Sequence, residues 1–169
     1  MVKDPSIAAS AADLQASTAM QIRIRDDMSA TADMVNDLEV LRKQIEDDLK
    51  ANAGKPEAER ALRELDQKLL AVELRLVSRT EMHSDDKWYV ESYKVYQNLI
   101  WLNGVVNSGA GDVAGGADER PTDASVGVLD GLSQELNAAK AAYREVLDRD
   151  VAAYNRAAAG RGLRPIAAR

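Results

Sequence analysis

Proline occurs at only four places in the chain, Pro5, Pro56, Pro121 and Pro165, and the long intervals between them carry apolar residues at helical spacing. From Leu14 a seven-residue pattern runs through Ile24, Met28, Val35, Leu38, Ile45 and Leu49, with Ser17, Gln21, Thr31 and Arg42 at the remaining seam positions. The pattern predicts one long helix over about 11–51. Ser10 with Asp13 three residues later resembles a capping arrangement at its start, and Asn52 and Gly54 suit left-handed termination at the other end.

Pro56 fits the first turn of a second helix, over about 57–80, whose seam is Leu62, Leu65, Leu69, Val72 and Leu76. A third is expected over about 85–107. Ser84, Asp85 and Asp86 can cap it, and Tyr89, Tyr93, Tyr96 and Ile100 recur at spacings of four, three and four. Trp, Tyr, Val and Ile also favour strands, but that spacing argues for helix. Residues 108–120 hold four glycines and no apolar period, which reads as a loop. Thr122 and Asp123 then open a fourth helix over about 122–159. Its seam is Val128 or Leu129, Leu132, Leu136, Ala139, Tyr143, Val146 or Leu147, Val151 and Tyr154.

Four helices without a strand pattern predict a single all-α domain over 1–169, an antiparallel bundle in up-down-up-down order with longer first and fourth helices. At 1.5 Å per residue the long helices span roughly 55–60 Å and the short ones about 35 Å, so that bundle has a thin end. There the early first helix and the late fourth helix leave Met20, Ile22, Ile24, Val146, Leu147, Val151 and Tyr154 short of partners. These seven residues form a candidate docking surface.

Composition narrows the function classes. With 28 acidic and 22 basic residues, a formal charge of −6 argues against nucleic acid as a partner, since phosphate neutralisation needs a cationic surface. The chain has no cysteine, which removes disulfides, thiolate metal sites and thiol nucleophiles. No apolar run approaches the ~18–20 residues of a membrane span, and the first residues lack the apolar core of a signal peptide, so neither membrane insertion nor an export signal is expected.

Chemistry-bearing clusters are few. Glu81, His83, Asp85 and Asp86 offer one imidazole and three carboxylates, although metal sites draw on several His or Cys and the acids also suit a helix N-terminus. Gly109-Ala110-Gly111-Asp112-Val113-Ala114 has a dinucleotide-fingerprint spacing but follows a helix where the motif needs a strand. Arg156, Arg161, Arg164 and Arg169 form a basic tail that reads as a solvated end near a helix C-terminus. No Ser-His-acid set or P-loop is present, so no catalytic residue, cofactor or metal is assigned and the chain is not expected to be an enzyme. Trp88, Tyr89, Tyr93, Tyr96 and Trp101 gather on one predicted helix. They read as core with polar tips, or as an aromatic ligand surface able to stack on sugar.

Several segments together resemble a known family. They are Val2-Lys3-Asp4-Pro5, Ala12-Asp13-Leu14-Gln15, Ile24-Arg25-Asp26, Leu41-Arg42-Lys43-Gln44, Ser84-Asp85-Asp86-Lys87-Trp88, Asn98-Leu99-Ile100-Trp101-Leu102-Asn103, Gly111-Asp112-Val113-Ala114-Gly115, Arg120-Pro121-Thr122, Leu132, Leu136 and Asp150-Val151-Ala152-Ala153-Tyr154-Asn155. The pattern resembles the C-terminal helical region of large bacterial BNR-repeat, sortilin-like or sialidase-like proteins classed with glycosyl hydrolases. The resemblance implies a helical appendage excised from a parent that carries a β-propeller and is exported to the periplasm or beyond. It implies the propeller as partner, with a homodimer as a further expectation. No BNR repeat occurs in this chain, so no propeller residue transfers to it. The function expected is a non-catalytic module that docks on that propeller or self-associates, the alternative being a carbohydrate-binding accessory domain.

Overall fold

A computed structural model describes residues 8–78, 92–106, 119–161 and 163–168. It is all helical: α1 (Ala11–Ala51), α2 (Pro56–Leu76), α3 (Val95–Val106), α4 (Asp123–Glu145) and α5 (Ala152–Ala159). A π-helical turn, Val146–Val151, joins α4 to α5 without a break, so the last three segments make one long helix.

Local sequence accounts for the helix ends. Ser10 and Asp13 form a reciprocal capping box at α1, the Ser10 hydroxyl accepting from Asp13 N–H and the Asp13 carboxylate accepting from Ser10 N–H at 2.9 Å. Gly54, at φ +87°, lets the chain reverse after Asn52 in a conformation that costs an L side chain strain, and Pro56 opens α2. The Thr122 hydroxyl caps α4 by accepting from Ser125 N–H at 3.1 Å. α3 is shorter than expected: residues 92–94 are not helical, and 85–91 of the predicted helix lie outside the described residues.

The order of the bundle departs from up-down-up-down. Arg23 on α1 pairs with Asp130 on α4 at 2.7 Å, and Asp27 accepts from Ser133 at 2.6 Å. Farther along, Gln44 on α1 bonds Ala167, just beyond α5. Early α1 therefore lies level with early α4 and late α1 with the end of α5, so these two long helices run parallel. α2 is antiparallel to both: Arg42 bridges Asp66 and Glu73, Lys68 meets Asp150 at 2.5 Å, and Glu57 meets Arg161 at 3.2 Å. α3 ends beside Gln21, whose side-chain amide donates to Val106 O at 3.0 Å. Since α3 also touches the far end of α2, it too runs antiparallel to α1.

Lengths explain this arrangement. At 1.5 Å per residue, α2 and α3 laid end to end span about 50 Å, close to the length of α1, so they cover one side of the α1–α4 pair in succession. Among the described residues the bundle is about three helices thick from the level of Met20 onward, while residues 11–19 of α1, none of them buried, extend past the end of α3; the thin end expected from early α1 against late α4 does not form. The core is a single cluster running through both halves, from Met20 and Ile24 by Leu38, Leu69 and Leu136 to Tyr154 and Ala158.

One seam is shifted, and another holds as expected but carries an extra residue. On α1 the column beside Ile24, Thr31, Leu38 and Ile45 is Met20, Met34, Leu41 and Asp48, while Met28, Val35 and Leu49 are only half-buried. In the long fourth helix the buried positions Leu129, Leu132, Leu136, Ala139, Val146, Val151, Tyr154 and Ala158 step by threes, fours and sevens except for a jump of five between Val146 and Val151. The π turn absorbs that extra residue, keeping Val151 and Tyr154 inward and leaving Asp150 at the rim.

Candidate interaction surface

α3 is the element whose sequence least matches its place at the surface. Its 12 residues, VYQNLIWLNGVV, include no acid and no base. One side packs inward through Val95, Leu99 and Leu102. The outward side carries Ile100, Trp101 and Val105, exposed by 45, 61 and 61%. A surface helix ordinarily turns charge outward, so this face is an apolar patch with an aromatic anchor, the composition that interface centres favour.

Neighbouring groups hold the face in place. The Trp101 ring stacks on Tyr93, with centroids 6.2 Å apart and planes at 21°. Tyr93 O accepts from the Asn98 side-chain amide at 3.1 Å, and Gln21 holds the last carbonyl of the helix. Other exposed apolar residues occur in the same half of the bundle: Leu14 and Ile22 on α1, Val126 and Val128 on α4.

The docking surface expected at a thin end does not form. Because α1 and α4 run parallel, Met20 and Ile24 lie about 30 Å from Val151 and Tyr154, at the opposite end of the bundle. Met20 and Ile24 are core residues at the level of α3, while Val146, Val151 and Tyr154 are core residues at the level of α2. Leu147 is half-buried against that core, and only Ile22, 44% exposed, is open.

Of the five aromatic candidates, Trp88 and Tyr89 lie outside the described residues. Tyr93 and Tyr96 are half-buried, and Trp101 is exposed. Glu81, His83, Asp85 and Asp86 also lie outside the described residues, as does the Gly109–Ala114 motif. Among the described residues no group of three or more His, Cys, Asp or Glu side chains is placed to hold a metal ion. No helix among them is long and apolar enough to cross a membrane.

Elsewhere polar groups pair across the helices. Arg42 donates to Asp66 at 2.8 Å and to the buried Glu73 at 2.6 Å, and the two carboxylates together hold its guanidinium above its ordinary value against the cost of burial. Burial, with the nearby charges of Asp37 and Asp48, pushes the Tyr143 and Tyr154 phenols up from their ordinary range. Among the described residues neither buried phenol oxygen has a hydrogen-bond partner.

The basic tail is not simply a solvated end. Ile166 is 1% exposed, and its backbone is bonded on both sides by the Asn155 side chain. The readable signal was two aliphatic residues, Leu163 and Ile166, three apart on either side of Arg164-Pro165. The α3 face had a signal too, namely twelve residues with apolar groups on every side and no charge. No family model matches the chain, and no curated protein or solved structure matches it.

Proposed function

We propose that the chain is a non-catalytic helical interaction module that docks through the outer face of α3 on the BNR-type β-propeller implied by its family resemblance. The supporting observation is the uncharged helix itself, with Trp101, Ile100 and Val105 turned to solvent in a chain that is 30% charged. Covering those three side chains removes apolar area from water at about 25 cal/mol per Å², without desolvating a charge. Binding of the purified chain to a BNR propeller, followed by light scattering, tests the reading. Association that disappears in the Trp101→Ser/Val105→Lys double variant supports it. No association with the propeller refutes it, and a dimer of the chain alone that this variant dissolves moves the same face to self-association.

A second reading rests on one further observation. The exposed Trp101 ring, backed by Tyr93, is a flat platform of the sort on which the apolar face of a sugar stacks. A carbohydrate-binding accessory domain would show saturable glycan quenching of Trp101 emission in a Trp88→Phe background, and no quenching would remove that alternative.

A further inference from the structure

The last described residues, 163–168, form an extended strap whose contacts are those of a bound peptide. Ile166 donates its N–H to Asn155 Oδ1 at 2.8 Å and accepts at its carbonyl from Asn155 Nδ2 at 2.7 Å. The next residue repeats the pattern with a different helix: Ala167 N–H donates to Gln44 Oε1 at 3.1 Å, and its carbonyl accepts from Gln44 Nε2 at 2.9 Å. In an extended chain the N–H and C=O of one residue point to one side and those of the next to the other. Asn155 on α5 and Gln44 on α1 therefore grip the strap from opposite sides, each amide completing a two-bond pair.

Such bonds read backbone alone, and recognition of a particular segment falls to the side chains between them. Ile166 supplies it, buried among the core residues. Pro165 before it favours an extended backbone at the point where the strap must be straight. Upstream, Arg161 and Leu163 line a cleft of about 530 Å³ with Lys55, Pro56, Glu57 and Ala58, and both donate their N–H to Ala158 O, at 3.0 and 3.1 Å, where the strap leaves α5. Gly160 ends α5 just before it.

From this geometry we infer that the cleft between α1 and α5 is an extended-peptide receptor site whose partner ligand is the 163–168 strap of a second copy of this chain. The strap seated in the structure is the intramolecular occupant of that site. Within one molecule a short tether gives the strap a high effective concentration, so the closed form holds at low concentration and reciprocal exchange grows as concentration rises. This inference is independent of the α3 face, since none of its residues belongs to that helix.

A complementation experiment tests it with full-length chains, each also carrying Trp101→Ser so that association through α3 does not register. One variant, Ile166→Asp, keeps the receptor residues but releases its own strap. The other, Gln44→Ala/Asn155→Ala, keeps the strap but loses the grip. Each alone is expected to scatter as a monomer at every dilution, and their equimolar mixture at the sum of the two masses. A synthetic peptide of sequence LRPIAA, residues 163–168, should then dissociate the mixture. A mixture that stays monomeric overturns the inference. So does an association that survives when the second variant also carries Ile166→Asp. Circular dichroism checks each fold, and Ile166→Ala replaces the aspartate variant if that one loses its helical signal.

Discussion

The two halves of this bundle do the same job by different means. α2 and α3 each cover one stretch of the α1–α4 pair, but α2 turns charge to solvent and α3 turns apolar surface. Around α2 the rim is laced with ion pairs: Arg60 with Glu64, Lys68 with Asp150, and Arg42 with Asp66 and Glu73. Among the described residues of α2 only Leu74 is a large exposed apolar side chain, whereas Ile100, Trp101 and Val105 all stand out from the much shorter α3. A helix that finishes its own surface needs no partner. One that leaves Trp and Ile in water presents an apolar patch, the feature on which the proposed interface rests.

That contrast can be broken or sharpened by substitution. The largest effects are expected in the shared core. Leu69→Ala under α2 and Leu99→Ala under α3, both fully buried, should each cost about 2–5 kcal/mol in urea unfolding. Because α1 and the long fourth helix span both halves, both losses should appear in one cooperative transition. A Leu99→Ala variant that loses α3 helicity while its main midpoint stays put would show that the halves unfold separately.

Next in size is the ion-pair cluster of the α2 half. Arg42→Met leaves the buried Glu73 carboxylate without its 2.6 Å partner and should cost about 3 kcal/mol. Adding Glu73→Leu should restore part of that loss, and a double variant no better than the single would show that Glu73 draws its support elsewhere.

A smaller effect is expected at Asp150. Its hydrogen bond from Arg149, then that from Lys68, holds its carboxyl below the ordinary 3.8. A depressed acid stabilises the fold above its ordinary value and loses that contribution as pH falls through the depressed one. Asp150→Asn should therefore be less stable than the parent at neutral pH, by under about 1 kcal/mol for a pair at the rim. The two unfolding curves should converge as pH drops below 3.8; a gap that persists in acid would refute the assignment.

The smallest stability effect belongs to α3. Trp101→Ser should change unfolding by less than about 0.5 kcal/mol, because the ring is mostly in solvent, while weakening any association through that face. A large loss of stability would mean that Trp101 is a packing residue and that the contrast between the halves is false.

Helix positions were largely legible because each rests on local chemistry. The Ser10–Asp13 box, Pro56, Thr122 and the apolar columns bracket α1, α2 and the long fourth helix to within a few residues of where they lie. Helix direction was not legible. A seam says which side of a helix is apolar, not which neighbour fills it, and α3 following α2 in line satisfies the same pattern as a hairpin. The choice depends on long-range pairs such as Arg23 with Asp130, which no spacing announces. The candidate site followed the same division: Trp101 and Ile100 could be read from composition, while the expected thin end failed with the topology that produced it. The side-chain grip on Ile166 joins residues 11 positions apart and that on Ala167 residues 123 apart, beyond the reach of any periodic signal.

The π turn has a consequence for how this chain tolerates change in length. Its extra residue separates two stretches of ordinary helix, each in its own phase with the core. Deleting one residue between Leu147 and Asp150 would close the turn to normal pitch while leaving Val146 and Val151 both inward. In most helices a deletion rotates everything beyond it by about 100° and exposes half the core. Here the long fourth helix carries a slack residue at a fixed address, a place where the gene can shorten by one codon without putting its two ends out of step.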